Sequence, residues 1–104
     1  MIIYVDFDNT LCKTEGTEYI NSKPISERIK IINNLYLNHT IVIYTARGSK
    51  SKIDYTELTL SQLKNWGVKF HDLDIGKKPV FDLLIDDRAM SDKDFFENYD
   101  ESKY

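Results

Sequence analysis

The stretch Met1-Ile-Ile-Tyr-Val-Asp-Phe-Asp-Asn-Thr10 constrains the fold more than any other part of this chain. Ile2 to Val5 form an uninterrupted apolar run, the pattern of a strand buried on both faces of a parallel sheet. The run stops at Asp6 and Asp8, and the hydroxyl of Thr10 follows. In open α/β sheets the carboxyl ends of the strands form the crevice where ligands bind. Residues i and i+2 of an extended segment point the same way, so Asp6 and Asp8 are expected to converge on one small volume. Two close anions repel, and a hard divalent cation such as Mg²⁺, which takes oxygen ligands, relieves that repulsion. The plainer reading is an Asx-type turn whose carboxylates bond their own backbone.

The rest of the chain alternates strand and helix signals. Residues 11–23 are polar, with a turn point at Gly16, and suit a loop or small hairpin over the carboxyl end of the sheet. Pro24 suits the first turn of a helix. Ile25, Ile29, Ile32 and Tyr36, flanked by Ile31 and Leu35, give one apolar helical face through about Leu37. Ile41 to Tyr44 is a second buried-strand run, stopping at Thr45-Ala-Arg-Gly48. After a Gly/Ser/Lys-rich stretch at 48–52, a second helix is predicted from Ile53 to Trp66, with Tyr55, Leu58, Leu63 and Trp66 in register. Gly67 falls at its C-cap.

Val68 to Leu73 reads as a shorter strand nearer an edge, and Val80 to Ile85 as a fourth strand ending in Asp86-Asp87. Ser91 is placed to cap a final helix carrying Phe95, Phe96 and Tyr99. Strands alternating with helices imply right-handed crossovers: an α/β fold, a three-layer Rossmann-like parallel sheet with helices on both faces.

A length of 104 residues, 41% of them hydrophobic, supports one domain, 1–104, with one core. The net charge of −3 provides no basic field, which disfavours nucleic acid and membrane surfaces as partners. Cys12 is the single cysteine, so no disulfide forms within the chain. No run approaches a membrane span, and the amino terminus leads into the first strand without a signal-peptide layout. The expected location is the cytoplasm.

Three of the four apolar runs end in chemically useful groups on what should be one rim: Asp6/Asp8/Thr10, Thr45/Arg47 and Asp86/Asp87. Lys77-Lys78-Pro79 adds a cation near the same rim. Carboxylates, a hydroxyl, a lysine and a metal are the parts needed for phosphoryl transfer to an aspartate. A carboxylate is a competent nucleophile, cations stabilise the phosphoryl oxygens, and a second acid protonates the leaving alkoxide.

D-F-D-N-T, T-A-R-G, K-P and D-D, in that order, resemble the four motifs of the haloacid dehalogenase (HAD) superfamily of phosphohydrolases. The resemblance spans Asp6 to Asp87. The sub-pattern T-A-R-G, W-G-V and K-P-x-x-D-L-x-I-D-D is further similar to small bacterial phosphatase-like proteins associated with capsule or surface-polysaccharide synthesis. The resemblance implies a Mg²⁺-dependent phosphatase acting on a small phosphorylated molecule, a sugar phosphate or related intermediate of surface-polysaccharide synthesis. Asp6 would be the nucleophile and a metal ligand; Asp8 would be the general acid/base, with its backbone carbonyl on the metal. Thr45 would bond the phosphate, and Lys78, with Lys77 as the alternative, would steady nucleophile and phosphate. Asp86 and Asp87 would complete the metal shell. Phe7, Asn9, Thr10, Ala46 and Arg47 would line the phosphate. Asn9 stands where the superfamily usually has glycine, and asparagine tolerates the positive φ this requires. Neither gap between motifs holds a cap domain, so the site is expected to be open, with water excluded by the 11–23 loop, the substrate or a second subunit of a homo-oligomer.

Plainer readings accompany several of these residues. Arg47 would clamp a substrate phosphate or sugar carboxylate bidentately, or pair with surface acids. His39 and His71 lack metal-ligand spacing and read as structural, and Cys12 as a packing residue. Two other functions compete with the sugar-phosphate phosphatase. One is a catalytically idle HAD-like domain binding a phosphorylated ligand or partner; the other is a nucleotide or polynucleotide phosphatase. Transfer to an acceptor other than water would use the same residues.

Overall fold

A computed structural model describes residues 1–78 and 81–104. Three strands, β1 (Ile2–Asp6), β4 (Thr40–Thr45) and β5 (Asp72–Ile75), form a parallel sheet in the order β1-β4-β5. The helices are α1 (Ser26–Leu35), α2 (Thr56–Asn65) and α3 (Asp92–Glu97). Between β1 and α1 the chain makes a small antiparallel hairpin, β2 (Cys12–Lys13) with β3 (Lys23–Pro24), and a 3-10 turn at Tyr19–Asn21. This is the α/β, Rossmann-like arrangement expected from the alternation of elements.

One parity of the strands makes the core. Val5 and Phe7 from the first strand and its extension, with Ile41 and Ile43 from β4, pack against Ile29, Ile32 and Leu35 of α1 and Leu63 of α2. Burying a side chain of this size contributes about 1.5–3 kcal/mol. Both long helices therefore share one face, not two as expected. The reason is topological: two successive right-handed crossovers in the same direction, β1 to β4 to β5, lay their helices on the same side. α3 does not cover the second face. It docks beside α1 with Phe95 and Phe96 packed against the same core, Arg28 Nη1 lying 2.6 Å from Asp92 Oδ2 and Asn34 Nδ2 donating to the Tyr99 hydroxyl at 3.3 Å.

The element that would reverse the winding is the expected fourth strand. Pro79 and Val80 lie outside the described residues, and 81–85 adopt no strand. Phe81, Leu83, Leu84 and Ile85 are exposed, Ile85 by 88%. Among the described residues nothing pairs with the outer edge of β1, so this strand is an edge, not a centre. Ile2 and Tyr4 are exposed accordingly, although the apolar run reads as buried on both faces.

Smaller shifts have local causes. Pro24 pairs with Cys12 in the hairpin and precedes α1 instead of starting it. α2 begins at Thr56, where the Asp54 carboxylate accepts the Thr56 amide at 2.9 Å. Its buried face is Thr59, Gln62 and Leu63, so two polar residues replace the expected Leu58. The third strand starts at Asp72, because Val68 still closes α2: its amide donates to the Leu63 carbonyl at 2.9 Å behind Gly67 at φ +68°. Ser91 caps α3 as expected, accepting from the Asp94 amide at 3.2 Å. Among the described residues no helix is long and apolar enough to cross a membrane.

Candidate active site

Parallel register gathers the site. Asp6 pairs with Tyr44 and Thr45 with Ile75, so β1, β4 and β5 all end on one rim. After β5 the chain turns at Gly76, whose amide donates to the Thr45 carbonyl at 3.1 Å, and passes back over the strand ends. The Ser49 hydroxyl donates to the Lys78 carbonyl at 3.0 Å and holds that passage.

Lys78 Nζ thereby reaches Asp6 Oδ1 at 2.7 Å, beneath the Tyr44 ring at 5.3 Å. The Thr10 hydroxyl donates to the other Asp6 oxygen at 2.9 Å. The Asp6 side chain keeps 38% of its surface exposed, so a ligand can still approach it. Thr10 is delivered by a tight turn in which Asn9 takes φ +61°, and Asn9 Oδ1 accepts the Thr14 amide at 3.1 Å. The asparagine thus does what glycine does in such a turn, and adds a hydrogen bond.

Asp8 faces inward. Arg47 grips it bidentately, Nε to Oδ2 at 2.9 Å and Nη2 to Oδ1 at 2.8 Å. The Thr14 hydroxyl also donates to Oδ1, at 2.7 Å, and lies 2.6 Å from the Ser22 hydroxyl. Arg47 is fully buried, its guanidinium carbon 4.7 Å from the centres of both the Phe7 and Tyr19 rings. Nη1 donates to Thr59 Oγ1 at 3.1 Å and Gln62 Oε1 at 2.6 Å, and Nη2 also reaches Ser22 Oγ at 3.5 Å. Five contacts match the five donors of a guanidinium. No donor remains for a substrate, so both expectations for Arg47, substrate clamp and surface ion pair, are corrected.

The other expected residues divide. Thr45 is buried at the end of β4, its hydroxyl oxygen accepting the Arg47 amide at 3.2 Å. Ala46 follows half-buried on the same rim. The Phe7 side chain is fully buried against Trp66 at 5.8 Å between ring centres, so only its backbone could meet a phosphate. Lys77 is exposed while Lys78 holds Asp6. Asp86 and Asp87 are exposed in a separate turn, where Asp86 Oδ1 accepts the Arg88 amide at 2.7 Å. Among the described residues no three His, Cys, Asp or Glu side chains are placed to hold a metal ion. Asp6 and Asp8 are instead matched by Lys78 and Arg47, two cations for two carboxylates. As placed, the carboxylates do not fit a divalent ion.

Thr14, Tyr19, Ser22, Thr59 and Gln62 were not anticipated. A polar pair three residues apart on an otherwise apolar helix face, Thr59 and Gln62, was the one available signal for a buried charge partner. Burial, then the nearby Asp8 charge, push the Tyr19 phenol up, and burial likewise pushes the Cys12 thiol up. Cys12, fully buried, is in keeping with a packing role. His71 accepts the Ile41 amide at 3.0 Å and stacks on Tyr36, and His39 lies against the Tyr104 carbonyl at 2.7 Å, both structural.

No protein-family model and no curated protein matches the chain. Among solved structures, it is similar to the crystal structure of a structural-genomics target from Vibrio cholerae. The TM-score is 0.84 at 24% identity, over 98% of this chain and 91% of that one. That likeness concerns the fold.

Proposed function

We propose that this chain is a phosphomonoester hydrolase of the HAD type, working through an aspartyl-phosphate on Asp6. The observation that carries the reading is the state of Asp6. It sits at a strand end, 38% exposed, with Lys78 at 2.7 Å on one oxygen and Thr10 at 2.9 Å on the other. A carboxylate oriented by a cation is a usable nucleophile, and the same cation offsets the charge of an incoming phosphate.

An Asp6 oxygen attacks phosphorus, the P–O bond to the leaving group breaks, and the departing alkoxide takes the proton of Asp8, which enters this step as the carboxylic acid with one oxygen still held by Arg47. Water then attacks the phosphorus of the aspartyl-phosphate while Asp8 takes its proton, the phosphorus–oxygen bond to Asp6 breaks to restore the carboxylate, and free phosphate leaves. Lys78 stays beside the phosphoryl oxygens throughout, and the hairpin at 12–24 limits water.

Mg²⁺ is part of the proposal on the strength of the motif resemblance. Its binding would require Asp86 and Asp87 to come to Asp6, as they would if the run 81–85 paired along the edge of β1 that has no partner among the described residues. The substrate class proposed is a sugar phosphate or related intermediate of surface-polysaccharide synthesis, and the location proposed is the cytoplasm. The exposure of Asp86 and Asp87 favours one alternative, a phosphate-binding domain without turnover.

Phosphate release from sugar phosphates, nucleotides and an aryl phosphate, with Mg²⁺ or EDTA, tests the reading in wild type and Asp6→Asn. Acid-quenched mass spectrometry for a phosphorylated Asp6 accompanies it. Turnover and phosphoenzyme, both lost in Asp6→Asn, are expected. Phosphate binding without either would leave the binding domain.

A further inference from the structure

Arg47 has no role in the proposed chemistry, yet it is the most connected side chain near the site. Its fully buried guanidinium meets Asp8 twice, Thr59 and Gln62 on α2, and Ser22 on the far side of the hairpin. The hairpin closes on the same group from above. The Tyr19 ring covers the guanidinium at 4.7 Å, Gln62 Nε2 donates to the Tyr19 carbonyl at 2.6 Å, and Thr14 bridges Asp8 to Ser22. A planar fork with fixed donor directions sets the rotamer of a carboxylate in a way a single ammonium cannot.

We infer that Arg47 is a positioning residue: it fixes the Asp8 carboxylate for proton transfer and, through Tyr19, Ser22 and Thr14, latches the 12–24 hairpin over it. Its kinetic consequence rests on the phosphatase reading; the latch does not. Asp8 is needed most when the leaving group is basic. An arginine acting through Asp8 should therefore matter for an alkyl phosphate and little for an aryl phosphate whose phenoxide leaves unaided.

The test compares Arg47→Lys, Asp8→Asn and the double variant, by steady-state kinetics on both esters and by amide hydrogen exchange. Arg47→Lys should lower kcat on the alkyl ester by about 10²-fold and on the aryl ester by less than about 10-fold, with KM within about 3-fold. In the Asp8→Asn background it should cost nothing further. Exchange in 12–24 should quicken by at least about 10-fold, with β4 and α1 unchanged. A raised KM with retained kcat would make Arg47 a substrate clamp and overturn the inference, as would losses that simply add. If the wild type turns nothing over, the phosphatase reading fails by itself, and unchanged exchange in 12–24 would then overturn the latch. Should Arg47→Lys not fold, Thr14→Val and Ser22→Ala keep the Arg47–Asp8 pair and remove the bonds that tie the hairpin to it. They should reproduce the faster exchange, and its absence counts against the latch equally.

Discussion

Lys78 Nζ lies 2.7 Å from Asp6 Oδ1 although 72 residues separate the two in sequence. The contact exists because β5 ends on the rim where β1 ends, and the chain after Gly76 crosses back over both. Its neighbour Lys77 follows the same path but points to solvent. Replacing Lys78 by Met should lower kcat by about 10²- to 10³-fold, the usual scale for removing a group that stabilises developing charge. Lys77→Met should stay within about 2-fold. Parallel assays on an aryl phosphate check both, and equal effects would sever the link between the contact and activity.

Phe81, Leu83, Leu84 and Ile85 are exposed, and the outer edge of β1 has no partner among the described residues. If Mg²⁺ recruits Asp86 and Asp87, the metal should slow amide exchange at 82–85 and raise the melting temperature. In Leu84→Asp/Ile85→Asp a charge falls on each face of the expected strand. That variant should lose the metal-dependent shift while its metal-free stability stays within about 0.5 kcal/mol, since both residues are exposed. Mg²⁺ that leaves 82–85 unprotected would dismiss the docking.

Gly48 directly follows Arg47 at φ +82°, and a Cβ there would collide with the Ile53 carbonyl oxygen. That oxygen is backbone and cannot yield cheaply. Gly48→Ala should cost about 2–4 kcal/mol, combining left-handed strain with displacement of the loop. Gly16→Ala, at φ +53° with open space around it, should cost only about 1–2 kcal/mol. Denaturant titrations of the two variants give the ranking, and comparable losses would remove the steric explanation.

Asp92 is held below the usual carboxylate range, chiefly by its hydrogen bond from Arg28 at 2.6 Å. A carboxylate lowered in the folded state contributes stability above its unfolded pKa and loses it as pH falls through the folded value. The pair ties α3 to α1, but its partial exposure limits it to about 0.5–1 kcal/mol. Asp92→Asn should therefore reduce stability at pH 7 by that amount, and the difference should shrink once pH falls below the ordinary carboxylate range and vanish where Asp92 is protonated in the folded chain as well. Unfolding followed across that range measures it, and a difference that persists in acid would rule out the ion pair as the cause.

What the sequence determined by itself was local. Apolar runs marked β1 and β4, helical periodicity marked α1, Gly67 and Ser91 marked helix ends, and the polar residues at 6–10 and 45–48 marked the rim. Each signal arises from neighbours in the chain, where a side chain's period or cap chemistry acts over a few residues. Tertiary structure decided which surfaces are covered. Ile2, Phe81, Leu83, Leu84 and Ile85 are as apolar as the residues of the core strand β4, yet burial depends on a partner strand that no local pattern supplies. The same holds for charge. The residues 45–48 announced a rim arginine, but its inward turn followed from register placing it beside Asp8. Thr59 and Gln62, on a helix 12 to 15 residues further on, then completed its hydrogen bonds. A buried guanidinium is tolerable only when every donor is met, and that condition is a property of the assembled fold.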